Sequence, residues 1–208
     1  MDIPLKCRCG ALTGLVTDVS RDTAHRAVCY CDDCQCAAEF FGEGSGVDAQ
    51  GGSDVLQVSQ AQVKITGGAE HLRCMRLSPK GLMRWYAGCC DTPLANVLAS
   101  RRAPFVGVHL VAMDLAATGR SADDAMGRPR IFVQGRYARG GCPPHAAPKV
   151  KLTTLGPITG LMLRWAVRGM HRPSPFFTDA GAPVTTPKVL SRDERNALRD
   201  KVSQLASG

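Results

Sequence analysis

Aromatic residues make up only 5% of this 208-residue chain, which leaves little for stacking nucleic-acid bases. No uncharged stretch approaches the ~18 residues that span a bilayer. The opening Met1-Asp-Ile-Pro-Leu-Lys-Cys7 has neither the basic start nor the apolar run of a signal peptide. These absences lead to the expectation of a soluble protein in a reducing, cytoplasmic compartment. There, ten cysteines are not expected to form a disulfide framework, and the close pairs Cys7/Cys9 and Cys89/Cys90 are poorly placed to bridge within themselves. The glycine-rich segment 37–53 lacks the Gly-Lys-Ser/Thr ending of a phosphate loop. No internal repeat or low-complexity segment is evident.

What is present is thiol. Cys29-Tyr-Cys31-Asp-Asp-Cys34-Gln-Cys36 packs four cysteines into one short segment, preceded by Cys7-Arg-Cys9 and followed by Cys89-Cys90. At this density, in a reducing compartment, metal ligation is the first expectation. Cys31 and Cys34 form a Cys-x2-Cys knuckle, whose two intervening residues let backbone amides turn toward the sulfurs while both thiolates converge on one ion. Cys29 completes a three-thiolate cup, and a zinc ion with three protein ligands keeps a position open for chemistry. Cys36 can close that cup, stand nearby as a free thiol, or point into the core. If Cys7 and Cys9 lie on a strand, period two turns both sulfurs to one face. One or both of Cys89 and Cys90 can then join them across a long separation as a structural site.

The length suits one substantial domain with appendages, and 44% hydrophobic content is ordinary for a globular chain. Alternating β-branched residues predict two short strands over 54–68, and further strands are expected near 70–76, 82–87, 104–115 and 131–134. Segment 37–53 is expected to be a mobile loop with a short helical turn at 37–41. His109 is expected to be a satisfied strand histidine, and Cys142-Pro-Pro-His145 an exposed loop. Beyond residue 145 the character becomes helical. Ile158, Leu161, Met162, Trp165 and Ala166 form an apolar stripe, expected to rest on the β domain or on a second subunit through the 156–170 helix. Ser191-Arg-Asp-Glu194 is a capping box opening a final amphipathic helix with Ala197, Leu198, Lys201, Val202 and Leu205. The expected division is a zinc-binding β domain over 1–145 and a C-terminal extension with two amphipathic helices over 146–208.

Cys7-Arg-Cys9-Gly10, Cys29-Tyr-Cys31-Asp-Asp-Cys34 and Cys90-Asp-Thr-Pro-Leu94 resemble the three signatures of the glutathione-dependent formaldehyde-activating enzyme family, which includes centromere protein V. The resemblance covers roughly residues 5–115. It implies a mainly β fold, a zinc-stapled, tent-like β-sandwich. It also implies two zinc ions, one structural, held by Cys7, Cys9 and the last block, and one held by Cys29, Cys31 and Cys34. Where the family carries another cysteine this chain has Ala87, and Asp91 stands at a glycine position. Cys89 and Cys74 are the candidates for the missing ligand, or that site has three sulfurs.

The implied activity is that of a zinc-dependent carbon–sulfur lyase acting on the adduct of glutathione or another thiol with a small aldehyde. Cys29, Cys31 and Cys34 then carry the catalytic metal, arginines hold substrate carboxylates, and Asp32 or Asp33 relays a proton. The formal charge of +8 supports a rival expectation. Arginines gather in the second half of the chain, so a zinc-stapled, non-catalytic module could dock an anionic partner such as nucleic acid through that half.

Overall fold

The computed structural model describes residues 1–150 and 152–207. Lys151 and Gly208, both inside the expected C-terminal extension, lie outside the described residues. The chain is mainly β at its core, with two sheets. The first three strands are β1 (Ile3–Lys6), β2 (Thr13–Val16) and β3 (His25–Cys29), followed by helix α1 (Asp32–Phe41). Strands β4 (Ser53–Ser59), β5 (Val63–Gly67), β6 (Leu72–Arg76), β7 (Met83–Ala87), β8 (Thr92–Val97) and β9 (Phe105–His109) come next. The remainder holds α2 (Ala122–Met126), β10 (Ile131–Val133), α3 (Leu152–Val167), β11 (Lys188–Val189) and α4 (Arg192–Ser207). The small sheet has the order β1-β2-β5, and the large one β10-β3-β4-β9-β8-β7-β6-β11.

Register divides the large sheet into two chemically distinct faces, because residues directly opposite on neighbouring strands share a side. Leu56 pairs with Val108, Val58 with Val106, Val97 with Met83, and Ala95 with Trp85. These side chains are buried in one core with Ile3, Leu5, Val16 and Val63 of the small sheet. The opposite face is more polar, with a cross-strand row of His25, Gln57, Gly107, Asn96 and Arg84. Cys29 pairs with Ser53, and Val55 with His109, on that same face.

Helices α1 and α3 sit on the polar side. Phe41 of α1 is buried with Met75 and Leu77, with Phe40 and Tyr86 packed against them, while Val202 of α4 is buried in the same cluster and Leu198 packs on it. Ile158, Leu161 and Trp165 of α3 pack with Phe105, Met162 and Met170. The inner face of α3 is therefore used by the chain's own β9. Ala166, expected in that stripe, is exposed instead, and the helix begins at Leu152, ahead of Gly156. The segment after 145 is woven into the rest. Phe176 and Phe177 enter the main core, and β11 runs parallel to β6. The capping box holds, with the Ser191 N–H donating to Glu194 Oε2 at 2.8 Å and the Glu194 N–H to Ser191 Oγ at 3.1 Å.

Three further boundaries differ from expectation. Cys7 and Cys9 follow β1 in a turn rather than lying on a strand, closed by the Gly10 N–H donating to the Cys7 carbonyl at 2.9 Å. Gly10, at φ +80°, adopts the left-handed backbone that this turn requires. The helix expected as a turn at 37–41 starts at Asp32, so the cysteine knuckle is the first turn of α1. The strand expected over 104–115 ends at His109, where Leu110–Ala112 make a 3-10 turn.

Candidate metal centre

The first cluster joins two turns. One is Cys7–Gly10, and the other connects β7 to β8, where the Cys90 N–H donates to the Ala87 carbonyl at 3.2 Å. Asp91 has φ 53°. Aspartate is among the few non-glycine residues that tolerate this region, so the chain turns as a glycine there would let it. Adjacent Cys89 and Cys90 thereby both face Cys7 and Cys9, and the four sulfurs lie within 4.8 Å of one another. The separations are 3.6 Å for Cys7–Cys9, 3.7 Å for Cys7–Cys89, 3.3 Å for Cys9–Cys89 and 3.8 Å for Cys89–Cys90. Arg8 clamps the two turns, its N–H donating to Thr92 Oγ1 at 3.0 Å and its guanidinium to the Cys90 carbonyl at 2.9 Å. Burial opposes ionisation of Cys90, but hydrogen bonds from Thr92 and Cys9 outweigh it and bring its pKa down to about 6. Cys89 is shifted up, by burial first and then by the neighbouring thiols.

The second cluster is Cys29, Cys31 and Cys34, whose sulfurs also lie within 4.8 Å of one another. Cys29 is the last residue of β3. Cys31 is the N-cap of α1, and its sulfur accepts from the Cys34 N–H at 3.3 Å. N-cap and third helical residue share one side of the helix end, which is why the x2 spacing works here. The partial positive charge of the helix N-terminus favours thiolate at this position. Hydrogen bonds from Cys29 and Cys31 hold Cys34 well below the usual thiol range, and Arg84 and His109 add to the effect. Cys29 is pushed up to about 12 and Cys31 is also raised, as expected for thiols sharing one thiolate.

Cys36 is not part of either cluster. Two residues past Cys34 is about 200° around a helix, and the side chain is buried at 1% exposure among Phe41, Met75, Leu77, Leu190 and Val202. Burial first, then Asp32 and Asp33, push its thiol up to about 11. Cys74 is equally remote, buried in the main core with Trp85. The first cluster therefore draws its fourth sulfur from Cys89 rather than Cys74, and the three-sulfur alternative falls away. Cys142 and His145 lie in an exposed loop, where the His145 ring meets Phe132 edge-on at 4.5 Å.

Beneath the trio the sheet supplies groups that sequence reasoning missed. Arg84 is 3% exposed and donates to Asn96 Oδ1 at 3.2 Å. Among the described residues no carboxylate pairs with it. Its place in Met83-Arg84-Trp85, with an apolar residue on each side, was the available signal for a cation on the face opposite the core. His109 is a buried strand histidine as expected, with Nδ1 3.4 Å from Ser53 Oγ. Burial lowers its pKa to about 4; the Cys34 charge opposes that shift, and Arg84 adds to it. Gln35 is fully buried behind the knuckle, its amide donating to the Tyr30 and Tyr137 carbonyls at 2.9 and 2.8 Å while Oε1 accepts from Arg139 at 3.1 Å. Asp32 and Asp33, expected as proton relays, make no hydrogen bond to the trio among the described residues.

Fold and site together define a mainly β protein with two cysteine clusters, each able to hold a metal ion. The chain belongs to a family of unknown function, DUF6151, whose model matches residues 1–187. No curated protein matches it. A crystal structure of a Rhodobacter sphaeroides protein is similar at 18% identity and a TM-score of 0.40, covering 61% of this chain and 96% of that one.

Proposed function

We propose that this protein is a zinc enzyme of the glutathione-dependent formaldehyde-activating type, making or breaking the carbon–sulfur bond in a thiol adduct of a small aldehyde. The observation that carries this reading is the separation of Cys36 from Cys29, Cys31 and Cys34. Three cysteine sulfurs converge with no fourth sulfur among the described residues, the donor count of an open rather than a closed site.

The donor sets suit zinc. A sulfur tetrahedron around zinc, with bonds of ~2.3 Å, has edges of about 3.8 Å, and four of the six sulfur separations in the four-cysteine cluster are 3.3 to 3.8 Å, with all six within 4.8 Å. At the trio, three thiolates with a dication carry one net negative charge, which complements buried, carboxylate-free Arg84. When bound there, zinc would supply Lewis acidity toward a substrate sulfur or oxygen.

The chain's own residues would do the rest. Cys29, Cys31 and Cys34 would hold the ion from a strand end and a helix N-terminus, two elements tied together by Gln35. Arg84 balances their charge from the sheet floor. His109, kept neutral by burial, offers a ring that can accept or donate a hydrogen bond without adding charge. The four-cysteine cluster staples the β1 turn to the β7–β8 turn and serves structure. Arg84 sits within a buried floor, so a substrate carboxylate would draw on the more exposed arginines.

The test is a thermal-shift titration with glutathione and with its formaldehyde adduct. A rise in melting temperature that Cys31→Ser abolishes, while the variant keeps its circular dichroism spectrum, supports the enzyme. No response to any small thiol, alongside steeply salt-dependent binding of nucleic acid, supports the docking module instead.

A further inference from the structure

A group of charged side chains lies away from both clusters. A cavity of about 390 Å³ opens between the start of β3 and the loop after α2, lined by Arg21, His25, Arg26, Arg128, Arg130 and the carboxylates of Asp123 and Asp124. Its back wall is built on an ion-paired arginine. Arg26, 8% exposed, bonds Asp54 through Nε and Nη2 at 3.0 and 2.7 Å and Asp123 through Nη1 at 2.7 Å. Asp123 is shared with Arg128 at 3.5 Å, while Asp124, with no ion pair among the described residues, accepts from Ser121 Oγ at 2.6 Å. Arg21 and Arg130 remain. Among the described residues neither has an ion pair or a side-chain hydrogen bond, although both line the same cavity.

We propose that this cavity is a binding site for the phosphate group of a small phosphomonoester, held by Arg21 and Arg130 with Arg128 at the rim. Two guanidiniums with free forks, and a third only partly engaged, offer more donors than the two oxygens of one carboxylate can use. A phosphate presents three terminal oxygens, which is the match for them. The volume exceeds what a bare phosphate fills and lies within the range of small-ligand pockets, so room remains for the esterified group. The deeper Arg26–Asp54–Asp123 network fixes the wall and leaves Arg26 no free charge to offer. His25 reports the local field. Its Nδ1 is buried without a partner, and after burial itself, the charge of Arg130 disfavours its protonation. An anion placed beside Arg130 relieves that repulsion. His25 and Cys29 are four residues apart on β3, about 13 Å, so an anion here does not touch the thiolates and the site stands independently of the metal reading.

Isothermal titration at low salt with inorganic phosphate, phenyl phosphate and acetate tests the site. The expected result is saturable binding of both phosphates, weaker or no binding of acetate, and a loss of roughly tenfold or more in Arg21→Gln/Arg130→Gln. The control Lys80→Gln/Arg102→Gln, at exposed positions outside the cavity, should bind as the parent does. In the same samples the His25 ring resonances should move on phosphate addition in the parent and stay still in the double variant. Phosphate binding that survives the double substitution, acetate binding as tight as phosphate, or no binding in the parent would overturn the proposal.

Discussion

Cys34 and Cys36 are two residues apart and have opposite surroundings. Helical geometry sends one toward Cys29 and Cys31 and the other into an apolar seam. Cys36→Ala is therefore expected to leave the metal content unchanged, at a stability cost of about 1 kcal/mol seen as a lower urea midpoint. Cys34→Ala should lose one metal equivalent per chain in elemental analysis. Arg84→Met removes the buried charge facing the trio and should weaken metal binding there by roughly 10- to 100-fold, measured by chelator competition, with the four-cysteine cluster unaffected. His109 has its pKa lowered to about 4 from an ordinary 6.5. Stability linked to its neutral form is complete above pH 6.5 and drains as pH falls toward 4, because the unfolded chain takes up the proton first. Its ring carbon shifts in NMR should stay flat from neutral pH to about 5.

Among the elements, α1 carries the site, and its order depends on what lies behind and above it. Gln35 ties it to the Tyr30 and Tyr137 carbonyls and to Arg139. Above it, Leu198 and Val202 of α4 cover Cys36 and Phe41. Leu198→Asp/Val202→Asp should undock α4 and raise the alkylation rate of Cys36 at least roughly tenfold, since protection follows local opening. The cysteine blocks, the capping box and most strands were legible in the sequence, because spacing and alternation encode them directly. The start of α1 was not, since Asp-Asp-Cys-Gln-Cys has no apolar period and its order comes from Gln35 and from tertiary cover. Arg84, Asn96 and His109 come together only through the register of β7, β8 and β9, which no local pattern reveals.

At the scale of the molecule, two tethers hold distant segments. The Cys7–Cys9 and Cys89–Cys90 turns meet across some eighty residues, and Arg26 binds β4 to the α2 region through Asp54 and Asp123. Asp54→Ala leaves Arg26 short of a partner in a largely buried place and should cost about 3–5 kcal/mol, read from denaturant unfolding. Asp91→Pro, which cannot adopt a positive φ, should disrupt the four-cysteine cluster and leave the trio occupied. The fold thus makes one cluster a staple between turns and sets the other above a sheet face with a cation beneath it. The most direct measurement of that division is zinc content combined with X-ray absorption at the zinc edge of the full chain. Two zinc ions per chain, averaging between three and four sulfurs each with a lighter atom completing one shell, is the predicted result. A single zinc per chain, or four sulfurs around both ions, would contradict it.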